Sequence, residues 1–177
     1  LSGRSMSKPA FVQHLRQRLK DTPAARGRVM FELTESFAVG DLVQADRHIQ
    51  ALRAEGCEVC LDDFGAGASS LAYLQQLHID VVKIDGSFIR DLEHDTRGAA
   101  FIRQLVRMCG ELDVRTLAEM VETPLVEEVI RKAGVDMAQG WLYGAAAREP
   151  TPPAVPARAA TAAAAASRRR GAVESWG

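Results

Sequence analysis

Five short apolar runs recur along the chain, at 29–35, 59–63, 80–85, 114–122 and 137–142, and each ends in or carries polar residues. Runs of this length, apolar on both alternating sets of positions, suit strands buried on both faces of a sheet. The stretches between them have helical spacing. Phe11, Val12, Leu15 and Leu19 recur at three- and four-residue steps after Pro9. Residues 41–55 place Leu42, Val43, Ile49 and Leu52 on one side, and Gly56 ends the helix. Ser69 or Ser70 caps a helix with Leu71, Leu74 and Leu77. Residues 96–112 form a longer amphipathic helix with Phe101, Ile102, Leu105, Val106, Met108 and Leu112, and Thr123-Pro124 opens another that Gly134 closes.

Strands alternating with helices predict an α/β fold with a parallel sheet and crossover helices. In a (β/α) barrel, functional residues gather at the C-terminal ends of different strands. Glu32, Asp62, Asp63, Lys83, Glu119 and Gln139 would then meet at one mouth. Any one of these acids alone is better read as a solvated loop residue. Five successive runs with the same placement argue for a shared site.

The Asp62-Asp63-Phe64-Gly65 stretch is the sharpest signal. Adjacent carboxylates at a strand end repel unless a positive group lies between them, and a divalent cation with oxygen ligands is the usual remedy. Two other readings fail. Asp63-Phe64-Gly65 matches a kinase tripeptide, but no glycine-rich loop or catalytic-loop motif accompanies it. Gly65-Ala66-Gly67 lacks the third glycine of a dinucleotide fingerprint.

Composition narrows the class. The 177 residues suit one domain, and 47% hydrophobic with 25% charged content is ordinary for a globular protein. A net charge of −1 gives no global pull toward nucleic-acid polymers or anionic membranes. No apolar run approaches the ~20 residues of a membrane span. Cys57 and Cys60 form a CxxC that lacks a second ligand pair for zinc, so these cysteines and Cys109 read as core thiols of a reducing, cytoplasmic compartment. Trp141 reads as core. From residue 148 the Pro, Ala and Arg content predicts a disordered tail over 148–177, beyond a domain at 1–147. Its cluster Arg168-Arg169-Arg170 reads as solvated.

Five segments resemble the EAL domain, the bacterial phosphodiesterase of cyclic di-GMP. They are Phe-Glu-Leu-Thr-Glu-Ser at 31–36, Leu-Asp-Asp-Phe-Gly-Ala-Gly at 61–67 and Val-Lys-Ile-Asp-Gly-Ser-Phe at 82–88, followed by Ala-Glu-Met-Val-Glu-Thr at 118–123 and Gln-Gly-Trp-Leu at 139–142. The resemblance implies a TIM-like (β/α) barrel, here its last five or so β/α units. It implies that Glu32, Asp62, Asp63 and Glu119 ligate two ions, Mg²⁺ or Mn²⁺, with Asp62 bridging. Glu119, Lys83 and Asp62 would be catalytic, Lys83 orienting the attacking water and Glu119 acting as ligand or base. Gln139, Glu122 and Asp85 would support the site or substrate, and Glu35 would hold the 63–70 loop.

The same resemblance implies cyclic di-GMP as ligand, a linear dinucleotide as product, a homodimer formed near the Asp62-Asp63 loop, and a GGDEF or sensory domain upstream. The chain departs from the family in several places. The Glu-Ala-Leu segment and an asparagine ligand are expected upstream of Leu1, so the isolated chain is expected to be inactive. Met120 stands in place of a glycine, His78 in place of a common proline, and Ala145-Ala146 in place of the usual ending. The alternative implied is a degenerate module that binds the dinucleotide or a partner protein as a sensor.

Overall fold

The computed structural model describes residues 1–6, 8–34, 41–65 and 70–145. Its framework is a five-stranded sheet in the order β1 (Met30–Thr34), β2 (Glu58–Phe64), β3 (Val81–Ile84), β4 (Arg115–Ala118), β5 (Met137–Ala138). Every neighbouring pair is parallel, and the sheet is open among the described residues. The order follows the sequence, as successive β-helix-β crossovers produce. The helices are α1 (Gly3–Met6), α2 (Pro9–Lys20), α3 (Leu42–Arg53), α4 (Ser70–Gln76), α5 (Thr96–Glu111) and α6 (Pro124–Ala133).

Helix boundaries follow local chemistry. Asp41 accepts the Gln44 N–H at 2.9 Å and starts α3, so Asp41 is a cap and not the first helical residue. Asp95 caps α5 through the Arg97 N–H. Thr123 caps α6 through the Val126 N–H, Pro124 occupies the first helical position, and Gly134 closes the helix in the left-handed region at φ +88°. These are the residue types that helix ends favour.

The core lies between the helices and one face of the sheet. Leu33, Val59, Leu61, Val82, Ile84 and Ala118 meet Ile49, Leu52, Ile102, Cys109 and Ile130 there. Not every apolar helical position joins it. Val43, Leu71, Phe101 and Leu112, expected on buried sides, are exposed. Phe101 instead stacks on Phe88 with ring centroids 5.4 Å apart, a geometry that favours aromatic pairs without full burial. Trp141, expected in the core, is 68% exposed. It sits in the short 3-10 turn Trp141–Tyr143 behind a two-residue edge strand, and no described element covers it. The tail from 148 lies outside the described residues.

Candidate functional site

The other face of the sheet is built in tiers. Successive side chains of a strand alternate faces, so residues two apart share one. Met30, Cys60, Val81, Leu117 and Met137 pack into a small apolar cluster, one residue from each strand. Two residues further along every chain stand Glu32, Asp62, Lys83, Glu119 and Gln139. Two residues earlier on β2 and β4, Glu58 and Arg115 pair at 2.7 Å. The charged upper tier therefore lies at the carboxyl ends of the strands, above an apolar floor.

Lys83 is the centre of that tier. Its Nζ lies 2.7 Å from Glu119 Oε1, 2.8 Å from Asp62 Oδ1 and 3.2 Å from Glu32 Oε1. The lysine is 5% exposed. Burial works to lower its pKa, but hydrogen bonds to Asp62, Glu119 and Glu32 outweigh that and hold it above its ordinary value. Further contacts fall on the same oxygens. Gln139 Nε2 donates to Glu119 Oε1 at 3.0 Å, and the Asp63 N–H donates to Asp62 Oδ1 at 3.2 Å. Among the described residues, each of these two carboxylates is thus gripped through one oxygen.

Asp63 reaches the same place by a bulge. The β2–β3 register runs Leu61↔Val82 and resumes at Phe64↔Ile84, so β2 spends one extra residue there. Asp63 absorbs it in the left-handed region at φ +56°, which aspartate tolerates better than most residues. Carboxylate oxygens of Asp62, Asp63 and Glu119 come within 4.8 Å of one another. An all-carboxylate set suits a hard divalent cation.

The remaining expected site residues lie elsewhere. Asp85 accepts the Ser87 N–H at 2.9 Å and caps the 3-10 turn Gly86–Phe88. Its pKa is lowered, first by its bonds with Ser87 and then by Arg90. Glu122 is exposed and makes no ion pair with the lysine cluster. Glu35 lies outside the described residues. Cys57, Cys60 and Cys109 are free, buried thiols. Burial pushes Cys60 up to about 12, with Lys83 opposing and Glu32 and Asp62 adding to the rise.

Sequence reasoning missed three features. The bulge at Asp63 was signalled by adjacent acids ahead of Gly65. The Glu58–Arg115 pair was signalled by the alternations Glu58-Cys60-Asp62 and Arg115-Leu117-Glu119. The left-handed backbone of Met120, φ +53°, was signalled only by the glycine it replaces.

A parallel β/α sheet with polar groups converging at its carboxyl edge defines a protein of the (β/α)-barrel class. More narrowly, the chain belongs to the EAL domain family, whose sequence profile matches residues 1–146. It is 32% identical over 146 residues to the cyclic di-GMP phosphodiesterase PdeB of Shewanella oneidensis, covering 81% of this chain and 17% of that protein. The crystal structure of the EAL domain of Mycobacterium smegmatis DcpA superposes with a TM-score of 0.77 at 30% identity, covering 82% of this chain and 65% of that one. The cyclic di-GMP complex of the PaMucR phosphodiesterase gives 0.72 at 33% identity, covering 82% and 59%. The chain spans about a fifth of the length of the curated relatives it matches.

Proposed function

We propose that this chain is part of an EAL-type phosphodiesterase that opens cyclic di-GMP to the linear dinucleotide pGpG with two divalent ions, Mg²⁺ or Mn²⁺. The observation that carries the reading is the convergence of carboxylate oxygens of Asp62, Asp63 and Glu119, with Asp62 and Glu119 also holding the ammonium of Lys83. The names of the relatives point the same way, and PaMucR is described in complex with cyclic di-GMP. Glu32, Asp62, Asp63 and Glu119 would hold the ions, with Asp62 shared. The ions, when bound, supply a water acidic enough to ionise near neutral pH and charge to stabilise in-line displacement at phosphorus.

The protein's own groups do the rest. Lys83 fixes one oxygen of Asp62 and one of Glu119 and offsets phosphate charge. Gln139 keeps Glu119 turned so that it would serve either as metal ligand or as base for the attacking water. Asp85 steadies the turn after β3, Glu122 supports the site from outside the cluster, and Glu35 steadies the 63–70 loop. The matched EAL chains are longer than this one, and the reading assigns the remaining ligands to sequence beyond it, so turnover by this chain alone is expected to be negligible. In the same reading the domain works in the cytoplasm, pairs with a second copy near the Asp62-Asp63 turn and follows a GGDEF or sensory domain. No helix among the described residues is long and apolar enough to cross a membrane.

The test is cyclic di-GMP binding and hydrolysis with Mg²⁺ or Mn²⁺, on this chain and on a form extended to the full span of an EAL domain. Turnover by the extended form, abolished in Asp62→Ala, supports the phosphodiesterase. Binding without turnover by the extended form moves the assignment to a sensor. Neither binding nor turnover overturns both.

A further inference from the structure

Met120 directly follows Glu119 and adopts a left-handed backbone at φ +53°, a region unfavourable to any residue with a side chain. Its side chain lies across Gly86. A Cβ built on Gly86 would meet Met120 Sδ at 2.2 Å and Cγ at 2.7 Å. Gly86 opens the 3-10 turn after β3, three residues beyond Lys83. From the same loop, Arg90 Nη2 approaches the sulfur at 4.0 Å. The backbone pairing is meanwhile giving out, since the Glu119 N–H reaches the Ile84 carbonyl only at 3.4 Å, beyond the usual range. Side-chain packing takes over where the ladder weakens.

We propose that Met120 is a positioning residue for the acidic site. Its thioether, clasped over Gly86, sets the spacing between the β3 end bearing Lys83 and the β4 end bearing Glu119, and so the carboxylate geometry offered to a divalent cation. The proposal rests on the metal-binding reading given above. Groups that orient metal ligands without touching the ion shift affinity by about 10–100-fold, and an apolar clasp belongs at the low end of that range.

The experiment is a Mn²⁺ titration followed by electron paramagnetic resonance, paired with thermal unfolding in the absence of metal. It compares the wild-type chain with Met120→Gly, Met120→Ala, Met120→Leu, Gly86→Ala and the double variant Met120→Gly/Gly86→Ala. Met120→Gly and Met120→Ala are expected to weaken Mn²⁺ binding about tenfold, while Met120→Leu, which keeps the bulk, stays near wild type. Gly86→Ala is expected to lower the unfolding midpoint by about 5 °C alone and by about 1 °C when Met120 is already glycine. Wild-type affinity in both Met120→Gly and Met120→Ala overturns the positioning role and leaves the metal reading standing. An equal thermal loss from Gly86→Ala in both backgrounds overturns the clasp. Absence of Mn²⁺ binding by every form, wild type included, is a failure of the metal reading, and the thermal comparison then decides the clasp alone.

Discussion

Asp62 and Asp63 are consecutive in the chain, yet both offer carboxylate oxygens to one point beside Glu119. In a regular strand they would face opposite sides of the sheet. The extra residue in β2 and the left-handed backbone of Asp63 remove that restriction. The β-bulge is therefore part of the site, as bulges beside functional residues often are. Asp62→Asn and Asp63→Asn are each expected to abolish the rise in unfolding midpoint that Mn²⁺ gives the wild-type chain. At 100 times the dissociation constant that rise corresponds to about 2.7 kcal/mol. Thermal scans with and without Mn²⁺ check it.

Removing Lys83 should leave three carboxylates facing one another without a counter-charge. Breaking a buried ion pair from one side costs several kcal/mol, but Glu32 is half-exposed, which discounts its share. Lys83→Met is expected to destabilise the metal-free chain by about 2–3 kcal/mol, read from urea unfolding.

Alkaline pH acts on the same tier. Lys83 and Cys60 both have folded-state pKa values raised above their unfolded ones. For such groups the stability contribution is whole below the unfolded pKa and is lost as pH rises toward the folded value. An unfolded thiol ionises near ~8.5 and an unfolded lysine near ~10.4. Stability is expected to begin falling above about pH 8.5, through Cys60 and the other two buried thiols, and more steeply above about pH 10.4 as Lys83 joins. Chemical denaturation from pH 7 to 11 measures this, and Cys60→Ala should lessen the earlier decline, with Cys57 and Cys109 supplying the rest.

The three thiols also give a direct probe of packing. Because Cys57, Cys60 and Cys109 are buried and free, and burial raises the pKa of each, the native chain should resist a thiol reagent at pH 8. All three should react in denaturant. Rapid labelling of Cys60 without denaturant would mean that the apolar floor is open to solvent.

Two glycines separate backbone necessity from habit. A Cβ on Gly140 would lie 2.2 Å from the Val121 carbonyl oxygen and 2.3 Å from its nitrogen, and neither is a side chain that can move aside. Val121 also pairs with Gln139. Gly140→Ala is expected to cost about 3 kcal/mol and to disturb the Gln139–Glu119 contact. Gly110, near the end of α5, would meet nothing within 4 Å. Gly110→Ala should stabilise by about 0.5 kcal/mol. Both are read from urea midpoints.

Much of this architecture was legible in the sequence, because the strands are short apolar runs and the helices repeat apolar residues at three- and four-residue steps, with Thr123-Pro124 and Gly134 marking the ends of one of them. The mouth residues were legible for the same reason, since Glu32, Asp62, Lys83, Glu119 and Gln139 share one phase of the strand alternation. What escaped was geometry that periodicity does not encode. A bulge changes the count of residues without changing their character, so the adjacent acids point Asp63 to the mouth but not to the extra residue and left-handed backbone that bring it there. Exposure of Val43, Leu71 and Trp141 depends on whether another element covers them, which no local spacing reports. The dependence of Gly86 on Met120 joins residues 34 positions apart through one thioether.

The apolar row of Met30, Cys60, Val81, Leu117 and Met137 is a low-dielectric spacer. It sets the Glu58–Arg115 pair one tier of side chains away from the lysine-centred cluster above it. A medium of this kind screens charge poorly, so a charge change at Glu58 or Arg115 would be felt at the tier above. The two tiers are neighbours in charge across a wall a single side chain thick.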